Sequence, residues 1–269
     1  MPDWRPLIVR RKDGYPRIMG VINITPDSFF EDSRSNNISE TIKIAQSMIQ
    51  NGADWLDVGG ESTRPGADPV EEEEEISRVV PVIRELRKKF PEIGISVDTR
   101  RSEVAKLSLE EGADMINDIS ALSDENMINI IKQSDCYICL MHMKGLPGNM
   151  QDNPQYDDVV AEVRSRLNEK VSLLIREGID RERIIVDPGI GFGKLLEHNL
   201  LLLKSGREVI PLSNVKLMWG VSRKSMFSEL LGRIEARDRL AGTLGIAAMS
   251  KLKAVDIIRV HDVAEHADL

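Results

Sequence analysis

The stretch Ile184-Ile185-Val186-Asp187-Pro188-Gly189-Ile190-Gly191-Phe192-Gly193-Lys194 drives an apolar run into a carboxylate, a proline, alternating glycines and a lysine. A strand that ends on a carboxylate and opens into a glycine loop is the usual form of a ligand mouth on an α/β protein. A tight βα turn without a ligand is the plainer alternative. Glycine amides and a lysine suit an anion such as phosphate. The match to a phosphate-binding P-loop is poor, because Leu195 stands where Ser or Thr should follow the lysine and the glycine spacing differs.

The strand-then-polar-end pattern recurs along the chain. Apolar runs at Ile18 to Ile22, Trp55 to Val58, Ile95 to Val97 and Met115 to Ile116 are expected strands. Tyr137 to Leu140, Ile184 to Val186, Val215 to Trp219 and Ile257 to Val260 bring the total to eight. Helical patterns lie between them, and strands alternating with helices imply parallel βαβ units. Eight such units imply an α/β protein with a closed (β/α)8 barrel in a single domain, 1–269, with 1–16 as an N-terminal lead-in.

The helices carry their own signals. Ser39 precedes Ile42, Ile44, Ala45, Met48 and Ile49 at helical spacing, and Gly52 ends that helix. The acidic run Glu71 to Glu75 is expected to open a helix, where acids meet the positive dipole end. Tyr156 to Gly178, Leu200 to Val209 and Arg237 to Ala254 are the other expected outer helices. A weak echo precedes the even strands alone: Gly52-Ala53-Asp54, Gly112-Ala113-Asp114, Gly178-Ile179-Asp180 and Ala254-Val255-Asp256. It is consistent with a barrel made of paired units.

Composition narrows the partners. Of 269 residues 41% are hydrophobic and 30% charged, which is ordinary for a globular chain. The net charge of −8 and the lack of a basic tract argue against nucleic-acid binding. No apolar run approaches the roughly 20 residues a membrane helix needs. The basic, polar stretch Met1 to Lys12 has no signal-peptide core, so a cytoplasmic location is expected. Cys136 and Cys139 form a C-x-x-C in an apolar segment. Residues three apart on a strand face opposite sides, and no second pair completes a zinc site; both are expected to be buried.

Barrel enzymes build their sites at the C-terminal ends of the strands. In strand order those ends carry Asn23; Asp57 with Gly59-Gly60-Glu61-Ser62-Thr63-Arg64; Asp98; Asn117 and Asp118; His142; Asp187; Ser222-Arg223-Lys224-Ser225; and Arg259 with His261. Asp98, Asn117 and Asp187 suit a flat heterocycle with N–H donors and ring acceptors. Arg223, Lys224, Arg259 and His261 gather where barrels often hold phosphate, with Ser225 expected to cap a helix there. Asp57 is expected to orient the neighbouring loop rather than meet a ligand. Arg223 stands open between a surface ion pair and a functional cation, and His142 between packing and chemistry. His198, at a helix start, reads as structural, and His266 in the tail as solvated. Met141 and Phe192 are packing types placed at the mouth. No nucleophile elbow, H-E-x-x-H motif or trio of metal-ligand histidines is present. A site holding a heterocycle beside an anion can promote loss of diphosphate by positioning and charge alone.

These residues resemble a known family. Met19-Gly20-Val21-Ile22-Asn23-Ile24-Thr25-Pro26-Asp27-Ser28-Phe29 and Asp57-Val58-Gly59-Gly60-Glu61-Ser62-Thr63-Arg64-Pro65-Gly66 look like the two signatures of the dihydropteroate synthases. Ser96-Val97-Asp98-Thr99, Ile116-Asn117-Asp118, Leu140-Met141-His142-Met143, the Asp187 to Lys194 stretch, Ser222-Arg223-Lys224-Ser225 and Arg259-Val260-His261-Asp262 resemble further blocks, in family order. The resemblance implies a pterin-binding TIM barrel of folate biosynthesis, usually homodimeric. It would join 6-hydroxymethyl-7,8-dihydropterin diphosphate to 4-aminobenzoate and release diphosphate. It implies that Asp98, Asn117, Asp187 and Lys224 hold the pterin, with Met141 and Phe192 beside it. Asn23 would ligate Mg²⁺ on the diphosphate, Arg259 and His261 would grip the leaving diphosphate, and Thr63, Arg64 and Ser225 would lie near the aminobenzoate or phosphates. The catalytic set it implies is Lys224, Arg259, His261 and Asp98, acting as the diphosphate leaves first and the arylamine attacks a stabilised pterin cation. The Asp187 stretch then becomes the floor of a pterin pocket rather than a phosphate cradle, and Lys194 takes a role within the loop.

Two departures stand out. Phe29-Phe30-Glu31-Asp32-Ser33-Arg34 replaces the family's usual acidic step and paired glycines in a loop that covers the second substrate. The short run after the eighth strand implies a last barrel face thinly covered, or covered by a partner chain. A methyltransferase moving a methyl group from methyl-tetrahydrofolate to a corrinoid protein is the alternative. It shares the acid and amide pocket but needs no diphosphate grip, which Ser222-Arg223-Lys224 and Arg259-Val260-His261 supply. A non-catalytic barrel should have lost polar residues at its mouth, and none is lost.

Overall fold

Alternate residues of each strand face opposite ways, and here both faces are buried. The computed structural model describes residues 8–24, 34–62, 70–145, 148, 150–210 and 212–269, with backbone alone at 34–37. Strands β1 (Arg17–Asn23), β2 (Trp55–Gly59), β3 (Gly94–Asp98), β4 (Met115–Asp118), β5 (Tyr137–Met141), β6 (Ile184–Asp187), β7 (Lys216–Trp219) and β8 (Ile257–Val260) pair in parallel and in sequence order. β8 returns to β1, with Arg17 opposite Ile257 and Met19 opposite Arg259. The expected (β/α)8 barrel is therefore closed.

Inward-facing Met19, Trp55, Met115, Cys139, Ile185, Met218 and Ile257 fill the barrel centre, with Ile8 of the lead-in joining them. Outward-facing Ile18, Val58, Val97, Ile138, Val186 and Val260 pack against the helices. Cys136 belongs to the outer cluster and Cys139 to the inner one, as strand geometry predicts, and both thiols are free.

The helices are α1 (Arg34–Gln50), α2 (Glu72–Lys89), α3 (Ser102–Glu110), α4 (Met127–Gln133), α5 (Val159–Arg176), α6 (Leu196–Ser205), α7 (Met226–Leu231), α8 (Leu240–Met249) and α9 (Val263–Ala267). The acidic run does open α2, with Glu72, Glu73, Glu74 and Glu75 in its first turn. α1 begins before Ser39, so Ser39 is not its start. The last face is covered by this chain itself: α9 lies on β1, with Val263 and His266 buried. The expectation of a solvated His266 is thus corrected, since its Nδ1 contacts the carbonyl oxygen of Asp262.

The even-strand echo has a physical cause. Asp54 accepts hydrogen bonds from the Ile18 amide, Arg11 and Arg17. Asp114 accepts from the Ile95 amide and Arg87, and Asp256 from the Leu217 amide and Arg207. Each carboxylate leads into an even strand and clamps the start of the odd strand before it, at the end of the barrel opposite the mouth. Asp180 departs from the pattern and accepts from the Glu182 amide. Conserving stability rather than chemistry is the expected task of that end. Asp256→Ala leaves the Leu217 amide and Arg207 without their acceptor, and should lower unfolding free energy by about 2–4 kcal/mol. Urea denaturation reads this; an unchanged midpoint contradicts it.

Candidate active site

The barrel interior changes character two residues above its apolar layer. The next inward positions of the even strands are Asp57 on β2, Asn117 on β4, Asp187 on β6 and Arg259 on β8. A barrel layer draws its side chains from alternate strands, and this layer is wholly polar. Asp98, at the end of β3, stands beside it opposite Asn117.

Charge pairing ties the layer together. Arg259 donates through Nε to Asp57 Oδ2 at 2.5 Å and through Nη2 to Asp98 Oδ2 at 2.7 Å. Asn117 Nδ2 donates to the same Asp57 oxygen at 3.1 Å. Burial opposes the charge on Arg259, but Asp57 and Asp98 hold its pKa above the ordinary value. Burial pushes Asp98 up to about 7 against the pull of Arg259. Asp187 is likewise raised by burial, with the Gly189 amide, 2.7 Å from its Oδ1, pulling the other way. Two buried acceptors of this layer, Asp57 Oδ1 and Asn117 Oδ1, have no hydrogen-bond partner among the described residues.

Lys224 enters from the loop after β7, its Nζ 3.9 Å from the centre of the Phe192 ring. Burial pulls its ammonium down to about 8, while Asp187 works to keep the proton on. Met141 and Phe192 pack with Ile119 and Met150 into a small apolar cluster at the mouth. This gives the polar layer one greasy wall.

The glycine loop after β6 is held from below. Lys194 is buried, and its ammonium donates to the carbonyls of Gly189 and Phe192 at 2.9 Å each and of His142 at 3.2 Å. It also meets His142 Nδ1 at 3.1 Å. Burial pulls Lys194 down to about 7 and, together with Lys194, takes His142 down to about 3, so His142 is a neutral ring. Tyr156 adds a hydrogen bond to the Gly193 carbonyl at 2.9 Å. Lys194 and His142 are thus scaffold for the loop. His198 is also structural, accepting from the Leu195 amide at 3.1 Å.

The cations after β7 and β8 divide into two kinds. Arg223 forms a two-pronged pair with Asp262, which settles it as an ion pair of the loop. His261 Nδ1 lies 2.9 Å from Ser222 Oγ, and its backbone amide donates to the same oxygen. Ser225 occupies the N-cap position of α7 but its side chain makes no capping bond, correcting that expectation. Asn23 is exposed at the end of β1. Glu61 accepts from Arg100 at 3.1 Å and pairs with Arg101, fixing the root of the loop after β2. Thr63 and Arg64 lie outside the described residues, as does the Phe29 to Ser33 part of the first loop.

Asp98, Asn117, Asp187, Lys224, Met141, Phe192 and Arg259 therefore meet at one mouth. The sequence suggested a loop-orienting task for Asp57, whereas the structure makes it the shared partner of Asn117 and Arg259. Its position, two residues above Trp55 on a strand, was the available signal.

A closed parallel barrel with an acceptor-rich polar layer at its C-terminal mouth, flanked by cations, is a barrel enzyme for a donor-bearing heterocycle. The pterin binding enzyme family model matches residues 19–261. A dihydropteroate synthase of Escherichia coli (strain K12) is 44% identical over 93% of this chain and 88% of its own length. The Xanthomonas albilineans dihydropteroate synthase with 4-aminobenzoic acid superposes with a TM-score of 0.86 at 38% identity, covering 94% of this chain and 90% of that one. The same organism's enzyme in complex with 7,8-dihydropteroate gives a TM-score of 0.82 at 34% identity, again covering 94% and 90%. The chain belongs to the pterin-binding enzyme family, within its dihydropteroate synthases. The methyltransferase alternative is not favoured by these relatives.

Proposed function

We infer that the chain condenses 6-hydroxymethyl-7,8-dihydropterin diphosphate with 4-aminobenzoate to give 7,8-dihydropteroate and diphosphate. The observation that carries this is the acceptor-rich layer itself: Asn117 Oδ1 is buried with no hydrogen-bond partner among the described residues, and the carboxylates of Asp187 and Asp98 stand beside it. An aminopyrimidinone edge supplies donors to these acceptors. Unmade hydrogen bonds at buried acceptors cost about 1–3 kcal/mol each, so a ring without its exocyclic amine should bind about ten- to a hundredfold more weakly. Calorimetry with the pterin and its deamino analogue tests this; equal affinities contradict it.

In this reading Asp98, Asn117, Asp187 and Lys224 orient the ring between Phe192 and Met141. The methylene C–O bond breaks, and its electron pair leaves with the diphosphate. Asp98 and Asp187 stabilise the positive charge left on the pterin. Arg259 and His261 face the departing anion, with Thr63, Arg64 and Ser225 toward the second substrate or the phosphates. The arylamine nitrogen then forms the new C–N bond and sheds a proton. Removing Lys224's proton or adding one to Asp98 should both impair the reaction. With Asp98 raised to about 7 and Lys224 lowered to about 8, kcat/KM for the pterin diphosphate should rise toward pH 7 and fall above pH 8. A flat profile from pH 6 to 9 would contradict these assignments.

Mg²⁺ fits as a companion of the substrate rather than a resident ion. Among the described residues no cluster of three His, Cys, Asp or Glu could hold it. Asn23, a neutral oxygen donor exposed at the mouth, suits a hard cation that takes its other ligands from diphosphate and water. Such an ion would neutralise charge on the leaving group.

A homodimer is part of the same proposal. Leu230, Leu231, Ile234, Met249 and Leu252 are exposed large apolar side chains on or just beyond α7 and α8. A second copy covering that face would remove them from water. A cytoplasmic setting accords with two free, buried thiols, and no described helix is long and apolar enough to cross a membrane.

A further inference from the structure

We propose that Asp57 is a positioning residue that sets the polarity of the pterin pocket before substrate enters, by fixing which way the Asn117 amide points and where Arg259 aims. The proposal rests on the pterin reading above. Asp57 is fully buried on β2, and its Oδ2 takes two donors from opposite directions: Asn117 on β4 and Arg259 on β8.

An ion-paired carboxylate can only accept. The nitrogen of the Asn117 amide must therefore face Asp57, whatever orientation a free amide would choose. This forces Asn117 Oδ1 to the other side, where it is buried without a partner among the described residues. The pocket is thus preset as an acceptor, and a ring edge bearing N–H donors is selected over one bearing acceptors. Were the amide free to turn, half its orientations would present a donor to the ring's own donors. Arg259 is held by the same oxygen, and its second arm reaches Asp98. Asp57 so connects ring recognition to the cation that faces the leaving anion. The link is geometric, since each partner shares one carboxylate oxygen.

The test is a polarity swap. Asp57→Asn is close to isosteric, yet its amide can donate, so Asn117 is free to turn. Pterin affinity should fall by about 30-fold or more, with the KM for 4-aminobenzoate within about threefold of the wild-type value. The double variant Asp57→Asn with Asn117→Asp restores one donor facing one acceptor, and leaves a carboxylate oxygen toward the ring. It should recover at least tenfold of the lost affinity, which a purely structural role for Asp57 would not produce. A measurement on the wild type covers the case in which Asp57→Asn fails to fold. The side-chain amide protons of Asn117 in the ligand-free protein should exchange slowly with solvent, as observed by NMR. Wild-type affinity in Asp57→Asn, no recovery in folded swap protein, or fast exchange of the Asn117 amide would each overturn the proposal. Wild-type turnover, measured alongside, separates this from failure of the synthase reading: if wild type makes no dihydropteroate, the pterin assignment fails; if only the swap misbehaves, the role of Asp57 fails.

Discussion

Asp187→Ala should lower kcat/KM for the pterin diphosphate by about two to four orders of magnitude while leaving the barrel folded. Asp187 ends β6, the Gly189 amide occupies its Oδ1, and Lys224 is near enough to influence its charge. Truncating one partner of a buried charged hydrogen bond costs about 2–5 kcal/mol, and each 1.4 kcal/mol is about tenfold. The Gly189 amide loses a buried acceptor, but the strand pairing and the apolar layer beneath Asp187 are untouched, so the fold should survive. Lys224→Ala should produce a loss of similar size, and the double variant should lose much less than the product of the two, because the residues act on one bound ring. Steady-state kinetics with matched thermal melts decide this; near-wild-type turnover in either folded single variant would remove it from the site.

The second large effect is expected at Gly189. Its φ of +67° lies in the left-handed region, and an added Cβ would stand 1.8 Å from the carbonyl oxygen of His142. That carbonyl is backbone and is itself gripped by Lys194, so neither side can yield cheaply. Gly189→Ala combines a positive-φ cost of about 1 kcal/mol with overpacking of about 1–3 kcal/mol. A loss of about 2–4 kcal/mol should appear in urea denaturation, with pterin binding lost as Phe192 and Asp187 shift. An unchanged denaturation midpoint would show that the loop is not held as described.

Eight strands and their order were legible because their apolar cores and polar ends alternate so regularly with helices. The ends themselves were drawn short. Asp98, Asn117, Asp118 and Asp187 belong to their strands, since ladder pairing depends on backbone groups and continues past the last apolar side chain. α3, α4 and α9 were not read, being 9, 7 and 5 residues long, too short for a helical stripe to repeat; α7, of 6 residues, was marked only by its expected cap at Ser225. The even-strand echo was visible, but its cause was not: a carboxylate that clamps the neighbouring strand is a tertiary contact.

The site followed the same division. Residue types at strand ends pointed to a heterocycle beside an anion, and the structure brings Asp98, Asn117, Asp187, Lys224 and Arg259 to one mouth. Pairings could not be read. Asp57 and Arg259 are 202 positions apart, and nothing local marks Asp57 as the shared acceptor. Lys194 resembled a phosphate ligand because glycine loops and lysines so often serve anions. Burial beneath the loop gives its charge to three carbonyls instead.

If this mouth joins a pterin to an arylamine by expelling diphosphate, the two products must appear together. The most direct measurement follows both products at once, with purified protein, pterin diphosphate, 4-aminobenzoate and Mg²⁺. Equal amounts of 7,8-dihydropteroate and diphosphate should accumulate, and neither should form with Asp187→Ala beyond a small residual rate. Absence of dihydropteroate from folded wild-type protein under these conditions would contradict the account.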